Sequence, residues 1–193
     1  MLRRLYDWTL ALARHRHALP ALAAVSFIES SVFPIPPDVL IIPMVLAARE
    51  RAWLIAGVAT AGSVLGGLFG YLIGAALFDV LGQPILNLYG YSTEFYEFQA
   101  RYNEWGAWIV FGAGLTPFPY KVITIASGVM HLDLGVFIVA SVLSRGPRFF
   151  LVAALLWRFG APIQRFIEAN LPLLTTVFFL LLFGGFVAIR YLS

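Results

Sequence analysis

The stretch Glu29-Ser30-Ser31-Val32-Phe33-Pro34-Ile35-Pro36-Pro37-Asp38 interrupts a segment that is otherwise strongly apolar. Each of its prolines removes one amide donor and restricts one φ angle, so a helix cannot continue through them. The apolar arms on the two sides, 18–33 and 39–48, are both shorter than the about 20 residues that a helix needs to cross a bilayer. We therefore predict a re-entrant hairpin over 18–48, with Pro34, Pro36 and Pro37 at its tip.

A second break of the same kind lies in the other half of the chain. Pro117 and Pro119 stand 83 residues after Pro34 and Pro36, and Lys121 occupies the position equivalent to Asp38. The pattern predicts a second re-entrant hairpin over 105–130, and together the two hairpins indicate an internal repeat of the kind found in transporters. A single proline-kinked span in each case is the alternative.

The chain as a whole has the composition of a membrane protein. Of its 193 residues, 61% are hydrophobic and 12% are charged, whereas soluble domains carry about 45–50% and about 25%. This composition excludes a soluble domain, a disordered chain and a nucleic-acid-binding module. Three stretches are long and apolar enough to span the bilayer, namely 53–80, 134–157 and 171–189. We predict one all-α polytopic membrane domain, 1–193, with three transmembrane spans and two re-entrant hairpins.

Loop charges predict how this domain is oriented. Residues 1–17 and 92–104 have amphipathic patterns and are expected to form interfacial helices. If the hairpins return to the side they entered, Arg49 and Arg51 share one side with the N-terminal arginines, while acidic residues dominate the other side. The positive-inside rule then places the N-terminus in the cytoplasm. The hairpins enter from opposite sides, so the repeats are inverted.

Five ionisable residues fall within the apolar stretches, and these are Glu29, Asp38, Lys121, Arg145 and Arg148. A charge near the bilayer centre costs at least about 2.5–3.5 kcal/mol on insertion scales, so a functional role is the default expectation. Two carboxylates against three cations favour an anionic ligand, and guanidinium groups match phosphate oxygens well. We assign substrate binding to the three cations. Burial favours the protonated form of a carboxyl group, so the two acids are candidates for proton coupling. A static network of buried ion pairs is the alternative.

Four glycines, Gly62, Gly66, Gly70 and Gly74, repeat at four-residue spacing in the first span. Small residues at this spacing allow helices to approach closely in lipid. The pattern favours contact with a hairpin arm, and a homodimer interface is the alternative.

Signatures of enzymes and metal sites are absent from the sequence. The chain has no cysteine, no phosphate-binding glycine loop and no HExxH pattern, so we expect no catalysis, no cofactor and no metal.

The two proline-rich segments resemble the signatures of a known family. Glu29 with Phe33-Pro34-Ile35-Pro36-Pro37-Asp38 resembles the first signature of the DedA family, also called the SNARE-associated or VTT-domain family, and the YqaA branch is the most similar. Gly114-Leu115-Thr116-Pro117-Phe118-Pro119-Tyr120-Lys121 resembles the second signature, and the similarity covers about residues 18–160. This resemblance implies facing re-entrant hairpins, lipid transport in the bacterial inner membrane, recycling of undecaprenyl phosphate and dependence on the proton motive force. It also implies functional roles for Glu29, Asp38, Lys121, Arg145 and Arg148.

We therefore predict a flippase or scramblase-like protein that moves an anionic lipid, either undecaprenyl phosphate or a phospholipid. Transport that is coupled to protons and transport that is not are both compatible with the sequence. Its expected partners are membrane lipids and not nucleic acids. The alternatives are a proton-coupled transporter of a small soluble solute and a non-transporting membrane scaffold. An open lipid-facing groove favours the first function, a closed polar vestibule the second, and saturated ion pairs without a cavity the third.

Overall fold

A computed structural model describes residues 17–33, 36–116, 119–160 and 162. Within these ranges the chain forms helices and no strands, in agreement with the predicted all-α class. Three predictions lie wholly or almost wholly outside the described residues: the interfacial helix 1–17, the third span 171–189, and the backbone at Pro34 and Pro117.

The first half of the chain folds into two short helices followed by a long one. Helix α1 (Ala18–Ser31) and helix α2 (Asp38–Ala47) lie on the two sides of the first proline cluster. After a 3-10 turn at Arg49–Arg51, helix α3 (Ala52–Leu77) continues through a π-helical turn, Phe78–Gly82, into α4 (Gln83–Tyr89). The chain leaves α4 at Gly90, whose φ of 74° is left-handed, a conformation that glycine adopts without strain.

The second half of the chain forms a long helix, a short helix and a second long helix. It contains α5 (Ser92–Leu115), α6 (Tyr120–Val129) and α7 (Leu134–Gly160). Asp133 caps α7, because its Oδ1 accepts a hydrogen bond of 2.8 Å from the amide of Val136. Helices α3 and α7 are long and apolar enough to cross a membrane, since 26 residues of α-helix span about 39 Å against about 30 Å of hydrocarbon.

One predicted boundary does not coincide with a helix end. The interfacial helix 92–104 and the first arm of the second hairpin, which we placed from 105, are one continuous helix, α5. No proline interrupts this stretch, and the glycine at position 106 lies against Leu132. A single glycine costs a helix only about 1 kcal/mol, so the backbone hydrogen bonds continue through it.

Helix α3 is the element on which both proline-broken segments pack, and these are named hairpin 1 (α1 and α2) and hairpin 2 (the end of α5 together with α6). A Cβ atom at Gly62 would lie 2.7 Å from the carbonyl oxygen of Ala23 in α1, and one at Gly66 would overlap the backbone of Phe27. One at Gly74 would overlap the backbone of Ile125 in α6. The glycine-lined face of α3 thus contacts α1 along its first part and α6 along its second part, which brings the two hairpins together.

The buried apolar residues form two clusters. One cluster joins hairpin 1, α3 and the second part of α7, with Leu22, Ile41 and Phe149 among its members. The other includes residues of α5, α6 and the first part of α7, with Val110 and Phe137 among its members. The boundary between the two clusters lies near the middle of α7, where Arg145 is fully buried.

Candidate functional site

Two ion pairs connect hairpin 1 to the middle of α7. The Nη2 atom of Arg145 lies 2.5 Å from Oε2 of Glu29, a residue in the last turn of α1. The Nη2 atom of Arg148, one helical turn further along α7, lies 2.7 Å from Oδ2 of Asp38, the first residue of α2. The break between α1 and α2 therefore places two carboxylates opposite two guanidinium groups.

The Glu29–Arg145 pair is the enclosed one. Arg145 has no exposed surface, and the side chain of Glu29 is 13% exposed. Arg145 Nε donates a hydrogen bond of 2.7 Å to Ser63 Oγ, which lies 2.7 Å from Ser30 Oγ. The Ser30 hydroxyl in turn donates to Glu29 Oε2 at 3.0 Å, so a closed ring of hydrogen bonds surrounds the pair.

Two aromatic rings hold the Arg145 guanidinium. Its Cζ atom lies 4.8 Å from the centroid of the Tyr120 ring and 4.9 Å from that of Phe149. Both distances fit cation–π contacts. The hydroxyl of Tyr120 donates a 2.6 Å hydrogen bond to Ser141 Oγ, which fixes the ring from α7. Contacts on several sides thus orient Arg145 before any ligand is present.

The Asp38–Arg148 pair is the accessible one. Both side chains are 25% exposed. The Oδ1 atom of Asp38 is buried and has no hydrogen-bond partner among the described residues. A buried oxygen without a partner carries a desolvation cost, which a bound proton or another donor relieves. Asp38 thus keeps one buried oxygen without a donor from the described residues, whereas Oε2 of Glu29 already accepts two hydrogen bonds.

Lys121 is the third cation of the site, and it lies where the two hairpins meet. Its Nζ atom donates a hydrogen bond of 3.1 Å to the carbonyl oxygen of Val32, just beyond the end of α1. Thr124, one turn along α6, donates to the carbonyl oxygen of Ser30 at 3.0 Å. Within the described ranges no carboxylate lies within 4 Å of Lys121. The cluster thus keeps one positive charge that no acid there neutralises.

The five charged residues singled out from the sequence therefore lie around one region, between hairpin 1, α6 and α7. Sequence reasoning missed the groups that hold them, namely Ser30, Ser63, Tyr120, Ser141 and Phe149. Ser63 directly follows Gly62 of the glycine repeat in α3. A hydroxyl side chain at that position was the one local signal in the sequence that pointed to this network. Within the described residues no group of three or more histidine or acidic side chains is placed to hold a metal ion.

An apolar groove lies on the other side of α7 from Arg145, because Leu143 in its lining is about 200° around the helix from that residue. It has a volume of about 660 Å³ and runs between α5 and α7. Its lining consists of Ala107, Trp108, Phe111, Gly135, Val136, Val139, Ala140 and Leu143. Trp108, Val139 and Leu143 are all more than 40% exposed, so the groove opens onto the outer surface of the protein.

The chain matches one family model and two related bacterial proteins over most of its length. The family model for the VTT domain matches residues 35–158, a range that contains four of the five charged residues. An uncharacterized protein of Haemophilus influenzae is 39% identical over 168 residues, which cover 85% of this chain and 87% of that protein. An uncharacterized protein of Histophilus somni is 38% identical with the same coverage. No solved structure matches the chain.

Proposed function

The chain belongs to the VTT-domain family of membrane proteins, also called the DedA family, and we propose that it moves the anionic head group of a membrane lipid across the bilayer. The family is generally linked to transport and flippase roles. The candidate substrates are undecaprenyl phosphate and phospholipids, and the cluster around Arg148 is the proposed head-group site. The bacterial inner membrane, with the N-terminus in the cytoplasm, is the proposed location.

The observation that carries this proposal is the state of the Asp38–Arg148 pair. Arg148 is partly exposed and engages only one carboxylate oxygen in the described structure. Its remaining N–H groups can bind phosphate oxygens in the bidentate manner that guanidinium favours. Lys121, which has no acidic partner among the described residues, supplies further positive charge at the junction of the hairpins.

Asp38 gives this site a means of coupling to protons. When a proton binds the carboxylate, Arg148 loses its counter-charge and is free to bind phosphate. When the proton leaves, the carboxylate competes with phosphate for Arg148 and promotes release. Proton binding and head-group binding therefore favour each other, as linked equilibria require. Glu29 and Arg145 are proposed to orient this site, because they pair with each other and Arg145 is fully buried between two aromatic rings.

The surroundings of the site support a lipid over a small soluble solute. Much of the surface of α3 and α7 is apolar and exposed, with Leu65, Leu72 and Leu151 each more than half exposed. The groove between α5 and α7 is lined by apolar side chains and glycine and is open at the surface. A lipid can keep its chains in such an environment while only its head group passes the charged region.

The test is lipid translocation in vesicles of phosphatidylethanolamine and phosphatidylglycerol that contain the purified full chain. A fluorescent head-group label on phosphatidylglycerol reports how fast lipid reaches the opposite leaflet. We expect Arg148→Gln to lower the rate by about 10-fold or more, because a charge-assisted hydrogen bond contributes about 1.5–3 kcal/mol. Asp38→Asn should make the rate independent of pH. Undecaprenyl phosphate, added as a competitor, tests the second substrate.

Arg158→Gln is the matched control, since Arg158 is an exposed arginine on the same helix that stacks on Phe159 and lies outside the cluster. Equal rates for the wild type, Arg148→Gln and protein-free vesicles would overturn the proposal. Wild-type rates with unchanged pH dependence in Asp38→Asn would remove the proton-coupling step.

A further inference from the structure

The prolines that follow α1 remove backbone donors from the end of this helix. In an α-helix each carbonyl oxygen accepts a hydrogen bond from the amide four residues later. The residues four after Ser30 and Val32 are Pro34 and Pro36, and neither has an N–H group. Both carbonyl groups therefore depend on a donor other than the regular helical one. Ser30 has no exposed surface, so its carbonyl cannot obtain that donor from bulk solvent.

Helix α6 of hairpin 2 supplies both donors. Lys121 Nζ donates to the Val32 carbonyl oxygen at 3.1 Å, and Thr124 Oγ1 donates to that of Ser30 at 3.0 Å. The Thr124 hydroxyl also lies 2.9 Å from the Lys121 carbonyl oxygen in its own helix. That carbonyl has the amide of Ile125 as its regular helical donor. A hydroxyl has one hydrogen to donate, and the Ser30 carbonyl is the acceptor that lacks a helical partner.

The glycine repeat of α3 makes room for this contact. A Cβ atom at Gly70 would overlap Thr124 Oγ1 and would lie 3.3 Å from the carbonyl oxygen of Ser30. Thr124 and Ser30 both have no exposed surface, so three helices enclose the hydrogen bond between them. Hairpin 2 therefore holds the end of α1 at a buried point beside α3.

This end of α1 contributes one member of the enclosed ion pair. Glu29 directly precedes Ser30, and the Ser30 hydroxyl belongs to the hydrogen-bond ring around Glu29 and Arg145. We propose that Thr124 is a positioning residue of the head-group site, because it holds the last turn of α1 so that Glu29 stays opposite Arg145. The role of Thr124 in lipid transport rests on the proposed function, whereas its hold on α1 does not.

Thr124 suits this role better than Lys121 does. Lys121 is only partly buried, and the proposed function brings its ammonium group close to a phosphate. A charged phosphate oxygen is a stronger acceptor for that group than the neutral carbonyl of Val32. Thr124 is neutral and fully buried, so its hydrogen bond keeps the end of α1 in place when a head group binds.

The test replaces Thr124 in the purified full chain in detergent micelles. Hydrogen–deuterium exchange of the amides of residues 28–33 measures how firmly the end of α1 is held. Thr124→Val keeps the volume and removes the hydroxyl. We expect it to speed this exchange about 10-fold, because a buried carbonyl then loses its donor. Thr124→Ser keeps the hydroxyl and should exchange like the wild type. A role in packing alone predicts the reverse order, because serine lacks the methyl group.

Thr60→Val is the matched control, because the Thr60 hydroxyl donates within its own helix, to the Ala56 carbonyl oxygen at 2.8 Å. It should leave the exchange of residues 28–33 unchanged. If Thr124→Val does not give monodisperse protein, Thr124→Ala and Thr124→Ser decide the matter, since both lack the methyl group and only serine keeps the hydroxyl. In that comparison the alanine variant alone should speed the exchange.

Translocation by the same variants, in the vesicles described above, separates the two proposals. We expect Thr124→Val to lower the rate about 10-fold and Thr124→Ser to restore it. Exchange that is unchanged in Thr124→Val, or equally fast in Thr124→Ser or Thr60→Val, would overturn the inference and leave the proposed function intact. Translocation by Thr124→Val at the wild-type rate would overturn it as well. If the wild type moves no lipid but exchange follows the hydroxyl, the hold on α1 stands and the proposed function fails.

Discussion

At the scale of single residues, the contrast between Arg145 and Arg148 is the main finding. The two arginines lie three positions apart on α7, and each pairs with a carboxylate of hairpin 1. Arg145 is enclosed by a serine network and two aromatic rings, whereas Arg148 is a quarter exposed. A buried pair contributes chiefly by avoiding an unpaired charge, and a partly exposed pair contributes little to stability. The proposed function therefore assigns orientation of the site to Arg145 and head-group binding to Arg148.

This contrast predicts different outcomes for the two alanine variants. Arg145→Ala leaves the Glu29 carboxylate without its cation, which should lower the free energy of unfolding by about 3–5 kcal/mol. Arg148→Ala should lower it by about 1 kcal/mol or less, because its pair is partly exposed. Thermal unfolding of the purified variants in detergent micelles measures both.

The double variant Glu29→Gln with Arg145→Gln is the control for the charge itself. It removes both charges, so it should recover part of the stability that Arg145→Ala loses. If Arg145→Ala were as stable as Arg148→Ala, the enclosed pair would not be the structural element described above.

At the scale of helices, proline and glycine have opposite effects on the structure of this protein. The proline clusters end helices inside apolar segments and so create the junctions where the charged side chains meet. The glycines of α3 do not interrupt this long helix. Because they have no side chains, α1 and α6 can approach its backbone closely. The site therefore depends on α3 as much as on the hairpins, because α3 holds both of them in place.

The glycine face predicts a position-dependent effect of adding one methyl group. In Gly66→Ala the new Cβ atom would overlap the backbone of Phe27, and since backbone cannot move away easily we expect a loss of about 1–3 kcal/mol or more. Gly57→Ala lies on the same helix with no atom within 4 Å of the new Cβ. It should be neutral or stabilising by about 0.5–1 kcal/mol, because alanine favours the helix. Unfolding curves in the same detergent distinguish the two, and similar midpoints would mean that α1 does not pack on this face.

At the scale of the whole molecule, a polar layer separates two apolar clusters. The clusters lie on the two sides of Arg145 along α7, and both contain or contact residues from the two halves of the chain. Helices α3 and α7 therefore connect the two clusters through the charged centre. The loop charges give the expected orientation, with Arg49 and Arg51 at one end of α3 and Glu94 and Glu97 beyond the other.

This orientation is testable because the chain contains no cysteine, so introduced cysteines label without background. In intact spheroplasts we expect a membrane-impermeant maleimide to label Glu94→Cys, since the first turn of α5 should face the periplasm. Glu50→Cys should be labelled only after permeabilisation, since it lies beside the arginines that the positive-inside rule keeps in the cytoplasm. Labelling of both positions in the same compartment would mean that α3 does not cross the membrane.

The sequence by itself determined the features that depend on local composition and backbone chemistry. Apolar length identified the helices 52–77 and 134–160, proline identified the breaks after Ser31 and Leu115, and isolated charges in apolar stretches identified the five site residues. Only the tertiary structure decided which acid pairs with which arginine, because those partners are more than 100 residues apart and their meeting depends on how α1, α2 and α7 are rotated. The same holds for the serine ring, for the aromatic contacts of Arg145 and for the groove beside α5. Each of these arises from packing between distant helices, and no local pattern in the chain encodes that packing.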